Sequence, residues 1–125
     1  MLENPANNYM NQLQLFRVRN QVRQLIEPSN RHQGSLNWGA KETDEHIQMK
    51  LEICKYLKRM GEEYYTEAIL VGRKSRCDII SADRQLIIEV VNSESEASTI
   101  AKEAKYPLPV VFVNANQEFR MELIQ

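Results

Sequence analysis

Residues 76–91 read RCDIISADRQLIIEVV, two short apolar segments joined by the polar turn ADRQ. Segments of this length, rich in β-branched residues and separated by such a turn, predict two antiparallel strands, 76–81 and 86–91. In the second strand Glu89 lies on a face that is otherwise aliphatic. An unpaired carboxylate buried there costs several kcal/mol or takes up a proton. We therefore expect Glu89 either to pair with a cation or to bind a metal ion.

The neighbouring strand carries a second acid that can share this face. Asp78 alternates with Arg76 and Ile80, and a hairpin register can bring it beside Glu89. Two carboxylates repel each other, but a hard cation such as Mg²⁺ between them favours carboxylate oxygens and water as ligands. In the alternative, Arg76 neutralises one carboxylate and solvent at the strand end covers the other.

Hydrophobic period and capping signals predict the remaining elements. These elements are an amphipathic helix over Asn8 to Glu27, ended by Pro28; a loop over Ser29 to Ala40; a helix from about Thr43 to Met60, closed by Gly61; a strand over Tyr64 to Val71; a short helix opened by the capping box Ser93 to Glu96 and stopped at Tyr106-Pro107; and a strand over Val110 to Val113 of the kind found inside a sheet. The order helix, helix, three strands, helix, strand predicts one α/β domain over residues 1–125, with an N-terminal helix and loop (1–40) and a core (41–125).

Size and composition support a single globular domain. The chain has 125 residues and a mass of 14.6 kDa, with 42% hydrophobic and 26% charged residues. Its formal net charge of -1 and pI near 6.1 mean that any contact with a polyanion must be local. No apolar run approaches the ~20 residues of a membrane span, and the start MLENPANN lacks signal-peptide features. We expect a cytoplasmic protein whose two cysteines, Cys54 and Cys77, are reduced, partly buried thiols outside any zinc-binding spacing.

The helix from Thr43 carries two polar residues on its apolar side. Lys50 falls near the middle of the apolar face, and His46 lies one turn earlier on the same side. A single lysine in such a place more often snorkels to solvent, and a single histidine is more often hydrogen-bonded at the rim. Together they would present a proton-transfer group and a cation to one patch of the sheet. If that patch carries Asp78 and Glu89, the four residues form a phosphate-cleaving site.

The element order with Asp78, ten intervening residues and then Glu89 resembles the PD-(D/E)XK nuclease superfamily, which has the restriction-endonuclease-like fold. The resemblance spans about residues 43–114. More narrowly, three short patterns are similar to the competence-protein (CoiA-like) branch and to small archaeal and viral nuclease-like proteins: His46-x-x-x-Lys50, Arg76-x-Asp78 and Glu89-x-x-x-Ser93.

The resemblance implies a metal site. At the positions that match the superfamily pattern, Asp78, Glu89 and the main-chain carbonyl of Val90 would hold Mg²⁺ or Mn²⁺. A lysine two residues after the Glu would orient or activate the attacking water, but this sequence has Val91 there. The CoiA-like pattern tends to have Gln at that position, and Cys77 replaces the proline that gives the superfamily pattern its first letter.

Two interpretations follow from this departure. In the first, the protein is a metal-dependent nuclease acting on DNA, in which Lys50 supplies the missing cation and His46 is an accessory group. Glu67 and Ser93 are possible further accessory residues. In the second, the fold persists as a catalytically degenerate module that binds nucleic acid or protein without cleavage. The presence of Val91 at the position of the motif lysine favours this second interpretation. The near-neutral charge also leaves open a structural or regulatory protein unrelated to nucleic acid.

Two further surfaces have alternative interpretations. The turn residues Arg73, Lys74 and Arg76 could grip backbone phosphates or form a solvated turn. The N-terminal helix has a heptad-like seam, which is more often core packing but could form a homodimer. The residues of this seam are Leu15, Val18, Val22 and Leu25.

Overall fold

The structure is a computed structural model and describes residues 11–72, 76–103 and 106–125. Its helices are α1 (Gln12–Gln24), α2 (Asp44–Arg59) and α3 (Glu94–Glu103), and its strands are β1 (Tyr64–Ile69), β2 (Arg76–Ser81), β3 (Leu86–Val91) and β4 (Val110–Asn114). Short 3₁₀ turns cover Pro28–Asn30 and Met121–Ile124. The predicted order of helices and strands is confirmed, and the chain has a mixed α/β architecture.

The four strands form one mixed sheet in the order β1-β2-β3-β4. The pairs β1–β2 and β2–β3 are antiparallel, the second of them as predicted, and β4 joins β3 in parallel after the α3 crossover. The prediction that 110–113 lies inside the sheet is wrong, because β4 is an edge strand of the described sheet. Its apolar run has a different cause: Val113 packs into the core on one face and Val110 against the core on the other.

Two hydrophobic clusters cover opposite faces of the sheet. On one face α2 contributes Met49, Ile53 and Leu57, which pack with alternate strand residues such as Ile79 and Ile88. The cluster on the other face gathers residues of α1, of the segment that follows it and of the strands. Its buried members include Val22, Ile26, Ala68, Ile80 and Ile87. Cys54 and Cys77 are free thiols, and both are buried, one in each cluster, whereas partial burial was predicted.

Helix α1 packs on the protein's own sheet. It begins after Asn11, whose side chain accepts the N–H of Gln14 in a capping box. It ends earlier than predicted, because the chain then runs along the end of β1, where the N–H of Glu27 donates to the carbonyl of Ile69. Two seam residues, Leu15 and Val22, are buried, which confirms core packing for them. A homodimer stays a prediction.

Capping determines the bounds of α2 and the start of α3. The Thr43 hydroxyl accepts the N–H of His46, and Gly61 follows the helix with φ +69°, the left-handed conformation that glycine adopts readily. At α3 the Ser93 hydroxyl accepts the N–H of Glu96, as the predicted capping box requires. The Glu96 carboxylate, however, accepts the N–H of Asn92. None of the helices in the described residues is both long and apolar enough to span a membrane.

Candidate active site

Backbone pairing is interrupted at the same level of three adjacent strands. The β2–β3 register would place Asp78 opposite Glu89, and the β1–β2 register would place Glu67 opposite Asp78. Neither pair is formed, and the β2–β3 ladder ends at Ile79 and Ile88. Glu67 has a φ of +51°, a left-handed conformation that is strained for a residue with a side chain. Three carboxylates therefore lie in a row where the sheet opens.

Side chains replace the missing backbone hydrogen bonds in this opening. The N–H of Asp78 donates to Glu89 Oε1 at 3.0 Å, and the N–H of Val90 donates to Asp78 Oδ2 at 2.8 Å. These reciprocal bonds hold both carboxylates between β2 and β3. No ion pair joins Glu89 to a cationic side chain within residues 11–72, 76–103 and 106–125. The expected cation partner of Glu89 is therefore replaced by a backbone N–H, and metal binding stays a prediction.

Lys50 is a buried ion-pair centre and does not snorkel. Its side chain leaves α2 among apolar residues and is only 2% exposed. The ammonium Nζ lies 2.7 Å from Glu67 Oε1, 3.5 Å from Glu42 Oε1 and 3.9 Å from Asp78 Oδ1. The alternative in which Lys50 extends to solvent is wrong, and one cation instead serves three carboxylates from a loop and two strands.

His46 links the same loop to β3. Its Nε2 lies 2.7 Å from the Val90 carbonyl oxygen and 3.8 Å from Asp78 Oδ2, and its Nδ1 lies 3.2 Å from Glu42 Oε2. A carbonyl oxygen only accepts, so Nε2 carries a proton and donates it. Because Nδ1 faces a carboxylate, both contacts are hydrogen bonds when the ring carries two protons. His46 thus holds the main chain of β3 at the residue after Glu89.

Glu42 belongs to this cluster and was missed in the sequence. It precedes the N-cap Thr43, where a helical pattern has not yet begun. Residues 42, 46 and 50 are each four apart, but helical geometry places only His46 and Lys50 on one face, because the extended N-cap Thr43 separates Glu42 from α2. With Glu42 included, the polar cluster consists of Glu42, His46, Lys50, Glu67, Asp78 and Glu89.

Burial raises the proton affinity of the two central acids. Burial first, and the neighbouring charge of Asp78 second, raise the pKa of Glu89 to about 8. Burial also raises the pKa of Asp78, although the Val90 N–H and the Lys50 charge partly oppose the shift. For Lys50, burial acts to lower the pKa, but the hydrogen bond to Glu67 and the charge of Asp78 outweigh it and the pKa is raised. Lys50 is consequently a permanent positive charge.

The chemistry of the oxygen donors suits a divalent ion. Within the described residues no group of three or more His, Cys, Asp or Glu side chains is arranged to hold a metal ion on its own. An ion would therefore rest on Asp78, Glu89 and the Val90 carbonyl, with water completing its ligands, which are the donors that Mg²⁺ prefers. The carbonyl oxygen that accepts from His46 retains a second lone pair. The oxygen donors of these residues are therefore of the kind that binds Mg²⁺ or Mn²⁺.

Other predicted site residues lie apart from the cluster or outside the described residues. Ser93 uses its hydroxyl to cap α3. Arg76 is exposed at the start of β2, and Arg73 and Lys74 lie outside the described residues. Val91, at the position of the motif lysine, is 3% exposed. The structure thus brings His46, Lys50, Glu67, Asp78, Glu89 and the Val90 carbonyl together.

Comparison of the chain with known protein families, with curated proteins and with solved structures finds no match. The chemistry of the polar cluster is therefore what indicates a function.

Proposed function

We propose that the protein is a cytoplasmic, divalent-metal-dependent nuclease that hydrolyses phosphodiester bonds in DNA. The observation that carries this proposal is the meeting of Lys50 and His46 from α2 with Asp78 and Glu89 at the opening of the sheet. The mixed sheet and the order of elements are compatible with a restriction-endonuclease-like fold of the PD-(D/E)XK superfamily.

The charges of the cluster support binding of a divalent ion. Four carboxylates share two groups that can be cationic, so negative charge is in excess when all four are ionised. Asp78, Glu89 and the Val90 carbonyl would hold the ion. When bound, a divalent ion supplies Lewis-acid activation of water and neutralises charge on the phosphate.

The residues of the chain supply positioning and fixed charge. Lys50 keeps a positive charge beside Asp78 at a buried position, where it stabilises the additional negative charge of the phosphoryl transition state. Val91 stands at the position of the motif lysine on β3, and Lys50 supplies the missing positive charge from α2. His46 holds the Val90 carbonyl, and Glu67 and Glu42 hold the Lys50 ammonium in place. All of these are positioning contacts that exist before substrate binds.

A second candidate function is supported by the completeness of the same network. Lys50 is already paired with Glu67 at 2.7 Å, and the Val90 carbonyl is already bonded to His46. Across the described residues, every buried side-chain nitrogen and oxygen has a hydrogen-bond partner. In a catalytically degenerate module that binds nucleic acid or protein, these paired residues would serve only to stabilise the fold.

Cleavage of labelled single-stranded, duplex and branched DNA with Mg²⁺ or Mn²⁺ distinguishes the two functions. The variants to compare are Asp78→Asn, Glu89→Gln and Lys50→Met. Two residues of α2 outside the cluster provide matched controls: Glu52→Gln for the carboxylates and Lys55→Met for the buried lysine. Urea unfolding of each variant shows whether it is folded under the assay conditions.

A nuclease requires at least a hundredfold loss of cleavage in Asp78→Asn and Glu89→Gln, because the ion loses a carboxylate ligand. We expect Lys50→Met to lose about 10²–10³-fold, the usual effect of removing one group that stabilises transition-state charge. Both controls should cleave normally. If the unmodified protein binds DNA but cleaves none of the substrates with either metal, the nuclease proposal is wrong and the degenerate module stands.

A further inference from the structure

A single loop joins the edge of the sheet to the polar cluster. We call residues 32–42 the rim loop. Near its start, the N–H of Thr66 donates to the His32 carbonyl at 2.9 Å and the Thr66 hydroxyl donates to the Ser35 carbonyl at 2.6 Å. Thr66 precedes Glu67 of the cluster. At its other end, Glu42 contacts Lys50 and His46. The rim loop is therefore anchored on both sides of the candidate active site.

Trp38 lies between these two anchors. It is three residues from Ser35 and four from Glu42. Because an extended chain spans at most about 3.6 Å per residue, the Trp38 Cα lies within about 14 Å of the Glu42 Cα. This distance is within the span of a short oligonucleotide whose phosphate occupies the cluster.

The indole of Trp38 is left in water although the loop has access to the core. Leu36, two residues earlier, packs against the cluster of apolar residues beneath α2, whereas Trp38 is 59% exposed. Tryptophan has more apolar surface to bury than almost any other residue. An exposed indole on a loop anchored beside a polar site is therefore available to a ligand.

Charge alone gives this protein little affinity for DNA. The chain has 16 basic and 17 acidic residues, and the cluster itself contains four carboxylates. Stacking of a base on an aromatic ring does not depend on net charge and accepts any base. Only an unpaired base offers a free face to an indole, since the bases of a duplex are stacked on one another.

We infer that Trp38 is a base-stacking residue of the binding site, and that the substrate is single-stranded DNA or an unpaired region of DNA. This inference rests on the proposed function for its substrate, but the binding that it describes needs no cleavage. Trp38 would hold a nucleotide beside the one whose phosphate enters the cluster. It thereby selects unpaired over paired DNA.

Trp38 is the only tryptophan of the chain, so its fluorescence reports directly on this contact. The titration is done in EDTA, which prevents cleavage, with oligothymidine, an abasic strand of equal length and a duplex. We expect saturable quenching by oligothymidine and at least tenfold weaker binding of the other two. The abasic strand keeps the phosphates and removes the bases, so it separates stacking from charge.

Variants measured by anisotropy of a labelled oligothymidine complete the test. Trp38→Ala should bind roughly tenfold to a hundredfold more weakly, the usual effect of losing one stacked base, and Trp38→Phe should retain part of the affinity. Phe16→Ala is the matched control, because Phe16 is also highly exposed (66%) but lies on α1. Its affinity should be unchanged.

The outcomes separate this inference from the proposed function. Quenching that needs bases, without cleavage when Mg²⁺ or Mn²⁺ is added, supports stacking and refutes the nuclease. Cleavage by Trp38→Ala at the unmodified rate and affinity supports the nuclease and overturns the stacking role. Equal quenching by the abasic strand, or no binding of any oligonucleotide, also overturns the role of Trp38, and the second result would favour a protein partner for the exposed indole.

Discussion

Replacing Glu89 with glutamine isolates the free energy of holding a carboxylate between β2 and β3. Glu89 is 7% exposed, and burial first and the charge of Asp78 second raise its pKa from 4.5 to about 8. The unfolded chain releases this proton near pH 4.5, while the folded chain keeps it to about pH 8. Because the folded state binds more protons between these values, the contribution to stability is fully present below about pH 4.5 and is lost as the pH rises through about 8.

The magnitude follows from the difference in proton affinity. A tenfold difference corresponds to about 1.4 kcal/mol, so the full effect is at most about 5 kcal/mol. Rearrangement of Lys50 toward the ionised Glu89 would recover part of it, and we expect a loss of about 2–4 kcal/mol between pH 5 and pH 9. With a urea m-value of about 2 kcal/mol/M, the unfolding midpoint falls by roughly 1–2 M. The raised pKa of Asp78 adds a change of the same sign.

The assay is urea unfolding followed by circular dichroism at pH 5, 7 and 9 without divalent ions. In Glu89→Gln the amide oxygen can still accept the Asp78 N–H, but no charge develops. This variant should lose the part of the slope that Glu89 causes, and it should be more stable than the unmodified protein at pH 9. Glu118→Gln, at an exposed position, is the control and should show the unmodified slope. Equal slopes in the unmodified protein and Glu89→Gln would refute the reasoning.

Adding Mg²⁺ at pH 9 extends this experiment to metal binding. An ion held by Asp78 and Glu89 should stabilise the unmodified protein by about 1.4 kcal/mol at ten times its dissociation constant. Glu89→Gln should gain much less. A pH slope without any gain from Mg²⁺ would confirm the cost of the buried carboxylate and contradict the metal site.

Three further predictions concern parts of the fold outside the cluster. Asp83→Ala should lower the free energy of unfolding by about 2–4 kcal/mol in urea titrations, because it leaves the Arg19 guanidinium without the buried carboxylate that accepts two of its N–H groups. Burial raises the pKa of the Cys54 thiol to about 12, so this thiol should resist alkylation at pH 8 in the folded protein and react in urea, as mass spectrometry of labelled peptides would show. Gly61→Ala should cost about 1 kcal/mol because of its positive φ, whereas Gly39→Ala, with open space around it, should be neutral in the same thermal unfolding assay.

The parts of the fold that were predicted correctly depend on neighbouring residues in the chain. The bounds of β2 and β3 follow from two apolar segments and a four-residue turn, and those of α2 from Thr43 and Gly61 at its ends. The errors have non-local causes. Helix α1 ends at Gln24 because the following backbone pairs with β1. The apolar sequence of β4 indicates that both faces of this strand are covered. It does not indicate whether the strand lies at the edge or in the interior of the sheet.

Five of the six members of the candidate site could be predicted from the sequence, but Glu42 and the contacts within the site could not. Helical spacing placed His46 and Lys50 on one face, and strand alternation marked Glu89 as a carboxylate on an apolar face. Whether these faces meet depends on how α2 crosses the sheet, which no local pattern determines. The left-handed backbone of Glu67 likewise has no signal in the sequence, because glutamate rarely adopts it.

The polar cluster places ionisable groups directly beside buried apolar packing, where their desolvation costs free energy. One residue along each strand, Ile79 and Ile88 pair normally and are fully buried, and the α2 residues Ile53 and Leu57 pack there. Carboxylates and a lysine at the opening replace such packing with groups that must be desolvated, and apolar replacements of buried ion networks are often as stable or more stable. Proteins retain such an arrangement mainly where a function needs it. Glu89→Gln should therefore raise the stability of the protein at high pH and abolish cleavage. Replacement of a residue with only a structural role would instead lower both stability and cleavage.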